Sequence, residues 1–388
     1  MTDHAACCIT DAAFLPIQVT PRTTWCFLRV RTADGRVGLG ECTLPDQENE
    51  LRAAADSLIR EIVGESTLER ARLTRVLPHA PGGLVSQTLR SGLEQALWDL
   101  AAQAADLPLH ALLGGALHPT VPLYANINRG AERTPAGFAA AATQAVVAGF
   151  RAVKLAPFDP FIWEDAAHPA MAAAYAEGLA RVAATRAAVG SSIDLMVDAH
   201  WRFSAGGAAA LLRDLEEFRL FWLECPLAEA NHAEIRRLRS MANARGVRLA
   251  GAETLCGLAR YRPLVEAGCY DVLMPDIKHC GGHAEMQHIA ALAQTAGIEV
   301  APHNPTGPVC HLHSLHAAAV LPNAGRLEVQ FGESETFFTL LQGHSLAFSN
   351  GEGSLPPAPG LGAELREHPA QAELGGSRPP PWLDRRLG

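Results

Sequence analysis

Between residues 121 and about 331, short apolar runs alternate with amphipathic helical stretches, and an acid or a histidine stands at the end of run after run. The runs read VPLYANI, RAVKLAPF, IDLMVDAH, LFWLECP, VRLAGAE, DVLMPDI, EVAPHNP and RLEVQF. Burying a carboxylate without a partner is costly, so charged groups inside apolar strands need a reason. Asp198, Glu224, Glu253, Asp276, His303 and Glu328 follow one another at spacings of 26, 29, 23, 27 and 25 residues, each about one strand–helix unit. Strands alternating with helices imply a parallel sheet, and eight of them close naturally into a (β/α) barrel. A doubly wound open sheet is the alternative, but no Gly-rich phosphate fingerprint opens the series. In a barrel all six polar ends meet at the C-terminal mouth, where barrel enzymes keep their active sites.

The 388 residues exceed what such a barrel needs. Residues 1–118 read as an α+β unit of three strands and several helices. TTWCFLRVRTADGRVGLGE forms a hairpin about Asp34-Gly35, and a helical stretch runs from about Glu50 to Leu112, ending at Gly114-Gly115. The barrel is expected over residues 119–331, and a Pro/Gly-rich segment over 332–388, with GGSRPPPWLDRRLG weakly ordered or extended. The formal net charge is −9 and no long basic run occurs, which argues against nucleic acid as a partner. The nine cysteines contain no C-x-x-C pair, as expected of free thiols in a reducing cytoplasm. No apolar stretch approaches membrane-spanning length, and the first residues lack a signal-peptide core.

Three carboxylates on neighbouring strands, Asp198, Glu224 and Glu253, suit a hard divalent cation such as Mg²⁺, one per subunit. A single strand-end acid is as readily a helix cap or a loop ion pair, but three in register are hard to obtain that way. Asp276 and His303 fall on strands six and seven, where the carboxylate can orient the imidazole as a general base. The bland alternative for His303 is a core histidine bonded to a carbonyl. His200 follows Asp198 by two and faces the same side, a candidate general acid. It could instead merely pack beside Trp201. Lys154, inside RAVKLAPF, could neutralise a substrate carboxylate. Glu328 could bond a substrate oxygen or, protonated, stabilise an enolate.

With these motifs in view, the chain resembles the enolase superfamily in its mandelate racemase-like subgroup. The resemblance is carried by GLGE, ALWDLAAQAADLPLHALLGG, VDAH, WLECP, GAE, MPDIKHCGG, APHNPTGP and PGLGAELRE, and covers almost the whole chain. It implies a modified (β/α)7β TIM-like barrel, capped by an α+β domain built from the N-terminal segment and the C-terminal tail. It also implies Asp198, Glu224 and Glu253 as Mg²⁺ ligands, a His303–Asp276 dyad, and a homo-oligomer, dimer or octamer. Racemase-type members carry K-x-K at the end of strand two; here the segment reads Lys154-Leu155-Ala156. Muconate-cycloisomerase-type members carry a lysine where this chain has Asp276. The Asp-x-His of strand three together with the dyad resembles galactonate dehydratase and related sugar-acid dehydratases, as does the short VTPRTTWCF segment. The implied substrate is a small carboxylate, an aldonate or aldarate, dehydrated to a 2-keto-3-deoxy acid. A racemase or epimerase of an α-protonated carboxylate, or a dehydratase of another hydroxy acid, is the alternative. Residues 21–25, residues 159–169 and Trp201 are the expected specificity elements, with 159–169 placed to fold over the mouth.

Overall fold

The computed structural model describes residues 5–76, 83–346 and 348–366. Strands β1 (Ile9–Thr20), β2 (Thr23–Thr32) and β3 (Val37–Glu41) form an antiparallel sheet in that order. The β2–β3 turn falls at Asp34-Gly35 as expected, with Gly35 at φ +87. Four helices follow: α1 (Glu48–Ile62), α2 (Arg70–Val76), α3 (Gly83–Ala104) and α4 (Leu109–Leu112). The helical piece ending at Gly114-Gly115 is thus broken between α3 and α4, where Asp106 turns left-handed ahead of Pro108. Helix α3 lies directly on β3. A Cβ on Gly38 would meet Ala96 O at 2.3 Å, and one on Gly40 would meet Gly92 O at 1.9 Å, so the glycines of GLGE let backbone touch backbone.

Eight parallel strands follow, interleaved among the described residues with seven long helices. They are β4 (Thr120–Asn126), α5 (Pro135–Val147), β5 (Ala152–Leu155), α6 (Pro169–Val189), β6 (Asp194–Asp198), α7 (Ala205–Asp214), β7 (Trp222–Glu224) and α8 (His232–Asn243). Then come β8 (Arg248–Gly251), α9 (Leu258–Ala267), β9 (Val272–Leu273), α10 (His283–Thr295), β10 (Glu299–Val300), α11 (Pro308–Val320) and β11 (Leu327–Gln330). Each strand pairs with its predecessor from β4 to β10, and β11 returns to β4. The ring closes through Val300, whose N–H donates to Asn323 O at 2.9 Å and whose carbonyl accepts from Gly325 N at 2.7 Å. This is a (β/α)7β barrel, since among the described residues the one helix after the eighth strand is the four-residue α12 (Thr336–Thr339). The barrel is a filled core: Tyr124, Ala152, Met196, Trp222, Ala250, Met274 and Ala301 are buried together, with Tyr124 edge-on to Trp222 at 5.3 Å.

The tail has two attachments. Strand β12 (Leu341–Gly343) pairs with β14 (Ala363–Leu365), while β13 (Glu352–Ser354) pairs antiparallel with β4 at the foot of the barrel. The chain then reaches the cap, where Leu361 N donates to Asp99 at 2.8 Å and Gly360 bonds both Leu107 and Leu109. The expected extended segment GGSRPPPWLDRRLG lies outside the described residues. Among the described residues, no helix is long and apolar enough to cross a membrane.

Candidate active site at the barrel mouth

Strand parity explains which side chains reach the site. Successive residues of a strand face opposite sides, so a residue two beyond an inward-facing core residue also points inward, one layer higher. Lys154, Asp198, Glu224, Asp276 and His303 each stand two residues after a buried barrel-core residue: Ala152, Met196, Trp222, Met274 and Ala301. Glu253 breaks the rule, standing three after Ala250. The intervening Ala252 is left-handed at φ 74, and that turn brings Glu253 rather than Ala252 into the site. His200 (φ 46), Trp201 (φ 54) and Cys225 (φ 42) are left-handed too, so backbone strain gathers beside all three acids.

Asp198 and Glu224 sit in register on β6 and β7. With Glu253 they offer buried carboxylate oxygens that all lie within 4.8 Å of one another. An all-oxygen, anionic donor set of this spacing fits a hard divalent cation. Lys154 lies beneath the trio and is fully buried. Its ammonium donates to Glu224 Oε1 at 2.5 Å and lies 2.8 Å from Glu328 Oε1 and 3.8 Å from Asp198 Oδ2. Burial opposes its charge, but Glu224, Glu328 and Asp198 outweigh burial and keep it protonated. Burial raises the carboxyl of Asp198, whereas His200 and Lys154 pull it the other way and win, leaving it well below the usual range. Glu224 is pushed upward by burial and by its acidic neighbours, against the pull of Lys154.

The two histidines flank the trio. His200 Nε2 lies 3.0 Å from Asp198 Oδ2 at one end, and its backbone N–H donates to Asp198 Oδ1 at 2.9 Å. At the other end His303 Nε2 lies 3.5 Å from Glu253 Oε2, while its Nδ1 bonds Asp276 Oδ2 at 2.7 Å. Asp276 is shared. The Lys278 ammonium bonds the same Oδ2, and the Lys278 backbone N–H donates to Oδ1 at 2.9 Å. Burial raises the Asp276 carboxyl, but Lys278, His279 and His303 pull it well below its ordinary range. Lys278 is thus a site residue that sequence reasoning missed; its i+2 relation to Asp276 was the available signal. Glu328 accepts from Asn126 Nδ2 at 2.7 Å and from Asn304 N at 2.8 Å. Burial raises its carboxyl, yet Lys154 and His303 bring it below the ordinary value.

Of the expected specificity segments, residues 21–25 reach the end of β11, where the Thr23 hydroxyl donates to Glu333 at 2.6 Å, and residues 159–169 pack on the helix layer. Trp25 is buried in the cap interface, edge-on to Phe337. Residues 159–169 pack outward: Phe161 stacks on Phe203 at 5.0 Å, Trp163 covers Gly207 of α7, and Asp159 is tied to Arg133 and Arg202. That aromatic anchoring holds the segment against the helix layer.

A capped (β/α)7β barrel with three convergent carboxylates and a His–Asp pair at its mouth has the layout of a barrel enzyme's active site. Comparison with known proteins agrees. Residues 8–114 match the family profile "Mandelate racemase / muconate lactonizing enzyme, N-terminal domain", and residues 137–369 match "Enolase C-terminal domain-like". The chain is 31% identical over 358 residues to a D-galactonate dehydratase of Verminephrobacter eiseniae (strain EF01-2), covering 90% of each. It is 30% identical to a D-gluconate dehydratase of Thermoproteus tenax, covering 92% of this chain and 72% of that one. Among solved structures, a mandelate racemase/muconate lactonizing enzyme from Jannaschia sp. CCS1 superposes with a TM-score of 0.81 at 26% identity, over 92% of this chain and 95% of its own. The chain belongs to the enolase superfamily, in its mandelate racemase/muconate lactonizing enzyme family. It is an enzyme of the carbon–oxygen lyase type, a hydro-lyase.

Proposed function

We propose that the protein is a Mg²⁺-dependent dehydratase of a sugar acid, an aldonate or aldarate, yielding a 2-keto-3-deoxy acid. The observation that carries this is the pair of imidazoles at opposite ends of the carboxylate trio, one on Asp276 and one on Asp198, with Ala156 where a second lysine base would stand. The similarity to D-galactonate and D-gluconate dehydratases supports the substrate class.

Asp198, Glu224 and Glu253 would hold the cation, and Mg²⁺ there would supply Lewis-acid stabilisation of the charge that develops on the substrate carboxylate. Asp276 fixes His303 with Nδ1 engaged, leaving Nε2 to take the proton from C2. The C–H electron pair moves into the C1–C2 bond to give an enediolate. Its collapse expels the C3 hydroxyl, which leaves as water with a proton from His200, and the enol tautomerises to the 2-keto acid. Lys154 holds Glu224 and Glu328 in place beneath the substrate and contributes positive charge to the floor of the site. Elimination needs one base and one acid, which this site offers. Racemisation needs a base on each face of C2, and the Lys154 ammonium is buried and bonded to carboxylates. The test is turnover of a sugar-acid panel with Mg²⁺, read by 2-keto acid formation. His303→Asn should abolish it. Deuterium exchange at C2 without loss of water would assign an epimerase instead.

A further inference from the structure

The sheet ladder holds two of the metal-binding acids, Asp198 and Glu224, whereas the dyad residues, like Glu253, stand beyond the ends of their strands. Asp276 and His303 each stand three residues beyond β9 and β10, the two-residue strands of the barrel, in backbone that has left the sheet. What those segments touch is the cap. Gly281 N donates to Ser91 Oγ at 3.0 Å, and His279 Nδ1 bonds the Thr88 hydroxyl at 2.7 Å. Glu94 on α3 then accepts the first backbone N–H groups of α10, from His283 at 2.7 Å and Ala284 at 3.0 Å. Glu41, the last residue of β3, does the same for α11. It accepts from Gly307 N at 2.8 Å, Cys310 N at 2.9 Å and the Thr306 hydroxyl at 2.5 Å. Both carboxylates are buried.

Helix N-termini have unsatisfied N–H groups and a positive dipole end, and each of these buried carboxylates answers both needs. The barrel leaves room for them. A Cβ on Gly282 would lie 1.9 Å from Glu94 Oε2, and one on Gly307 would lie 2.8 Å from both oxygens of Glu41. The two clamped helices are the ones that follow Asp276 and His303.

We infer that Glu41 and Glu94 are positioning residues through which the cap sets the geometry of the Asp276–His303 dyad, while the barrel alone sets the metal site. The inference rests on the proton-abstraction reading above. A misplacement of about 1 Å in a catalytic group costs on the order of 100-fold in rate. The test uses Glu41→Gln and Glu94→Gln in the full-length Mg²⁺-loaded enzyme. Each keeps the side-chain shape but places an NH₂ where one backbone N–H needs an acceptor. Asp99→Asn is the control: Asp99 is an equally buried cap carboxylate that binds Leu39 N and Leu361 N and touches neither helix.

The expected result for each Gln variant is a kcat lowered at least about 10-fold, with KM and the Mg²⁺ requirement within about threefold of wild type. Asp99→Asn should lower Tm and leave kcat within about twofold. Amide hydrogen exchange, which needs no activity, should quicken in residues 276–282 and 303–307 of the Gln variants and stay unchanged in 194–200 and 222–226. Wild-type kcat in both Gln variants, an equal loss of kcat in Asp99→Asn, or exchange that quickens uniformly would overturn the inference. Should Glu41→Gln not fold, Glu94→Gln alone carries the same measurements. A wild type that turns over no sugar acid would fail the dehydratase reading, and the exchange pattern would still decide the clamp.

Discussion

Lys154→Met should destabilise the metal-free protein strongly and the metal-loaded protein much less. The ammonium is fully buried, 2.5 Å from Glu224 and 2.8 Å from Glu328, with Asp198 at 3.8 Å. Methionine fills a similar volume but leaves these carboxylates facing one another without a cation. Removing one partner of a buried ion pair costs about 3–5 kcal/mol, because the remaining charge stays desolvated and unpaired. Proton uptake by the cluster offsets part of this, so about 3 kcal/mol is the working figure. For a chain of this size that lowers Tm by roughly 5 °C in EDTA. A divalent cation in the trio restores positive charge at the same place. Saturating Mg²⁺ should therefore raise the Tm of the variant by several degrees more than it raises that of wild type. Thermal melts by circular dichroism, with and without Mg²⁺, measure both quantities. A variant Tm within about 1 °C of wild type in EDTA, or an identical Mg²⁺ increment in both proteins, would refute the reasoning.

Three further outcomes follow from the same contacts. Acid should unfold the protein between about pH 5 and 4. Burial pushes His279, His311 and His316 down to about 3 and His313 down to about 4, so their folded values lie below the unfolded value of 6.5. Their stabilisation is complete above pH 6.5 and is lost as pH falls toward 4, with His313 alone worth on the order of 3 kcal/mol; native circular dichroism at pH 3 would contradict this. Gly40→Ala should cost more than about 2 kcal/mol by chemical denaturation, since its Cβ would meet Gly92 O at 1.9 Å, whereas an unchanged midpoint would show that α3 can move off the strand. Lys278→Met should lower kcat at least about 10-fold while Mg²⁺ binding, measured by calorimetry, is unchanged, because the lysine braces Asp276 and not the trio; loss of metal binding would place its role elsewhere.

Much of the site was legible because strand parity is a local rule. Apolar runs ending in VDAH, WLECP, MPD and APH announce side chains that must face the barrel axis, and Asp198, Glu224, Asp276 and His303 do so. Glu253 obeys only after the left-handed step at Ala252, which no pattern of hydrophobicity encodes. The eight-strand alternation was likewise visible in the runs, whereas the seven-helix form of the barrel was implied only by the family resemblance. The cap contacts were not legible. Glu94 meets the start of α10 across 189 residues, and Glu41 meets Gly307 across 266. Such pairs carry no local signature beyond a lone acid on an apolar helix or strand. The packing of residues 159–169 was not legible for a related reason: Phe161 and Trp163 find their partners, Phe203 and Gly207, on a later unit of the barrel.

The most direct measurement is the fate of the C2 proton and the C3 hydroxyl in one experiment. Purified protein with Mg²⁺ is incubated in D₂O with aldonic and aldaric acids, and products are followed by proton NMR and 2-keto acid detection. Dehydration predicts a 2-keto-3-deoxy acid carrying solvent deuterium at C3, formed by wild type and lost in EDTA and in His303→Asn. Recovered substrate deuterated or inverted at C2 with no keto acid, or a turnover indifferent to EDTA, would contradict the assignment of Asp198, Glu224 and Glu253 as a metal site serving elimination.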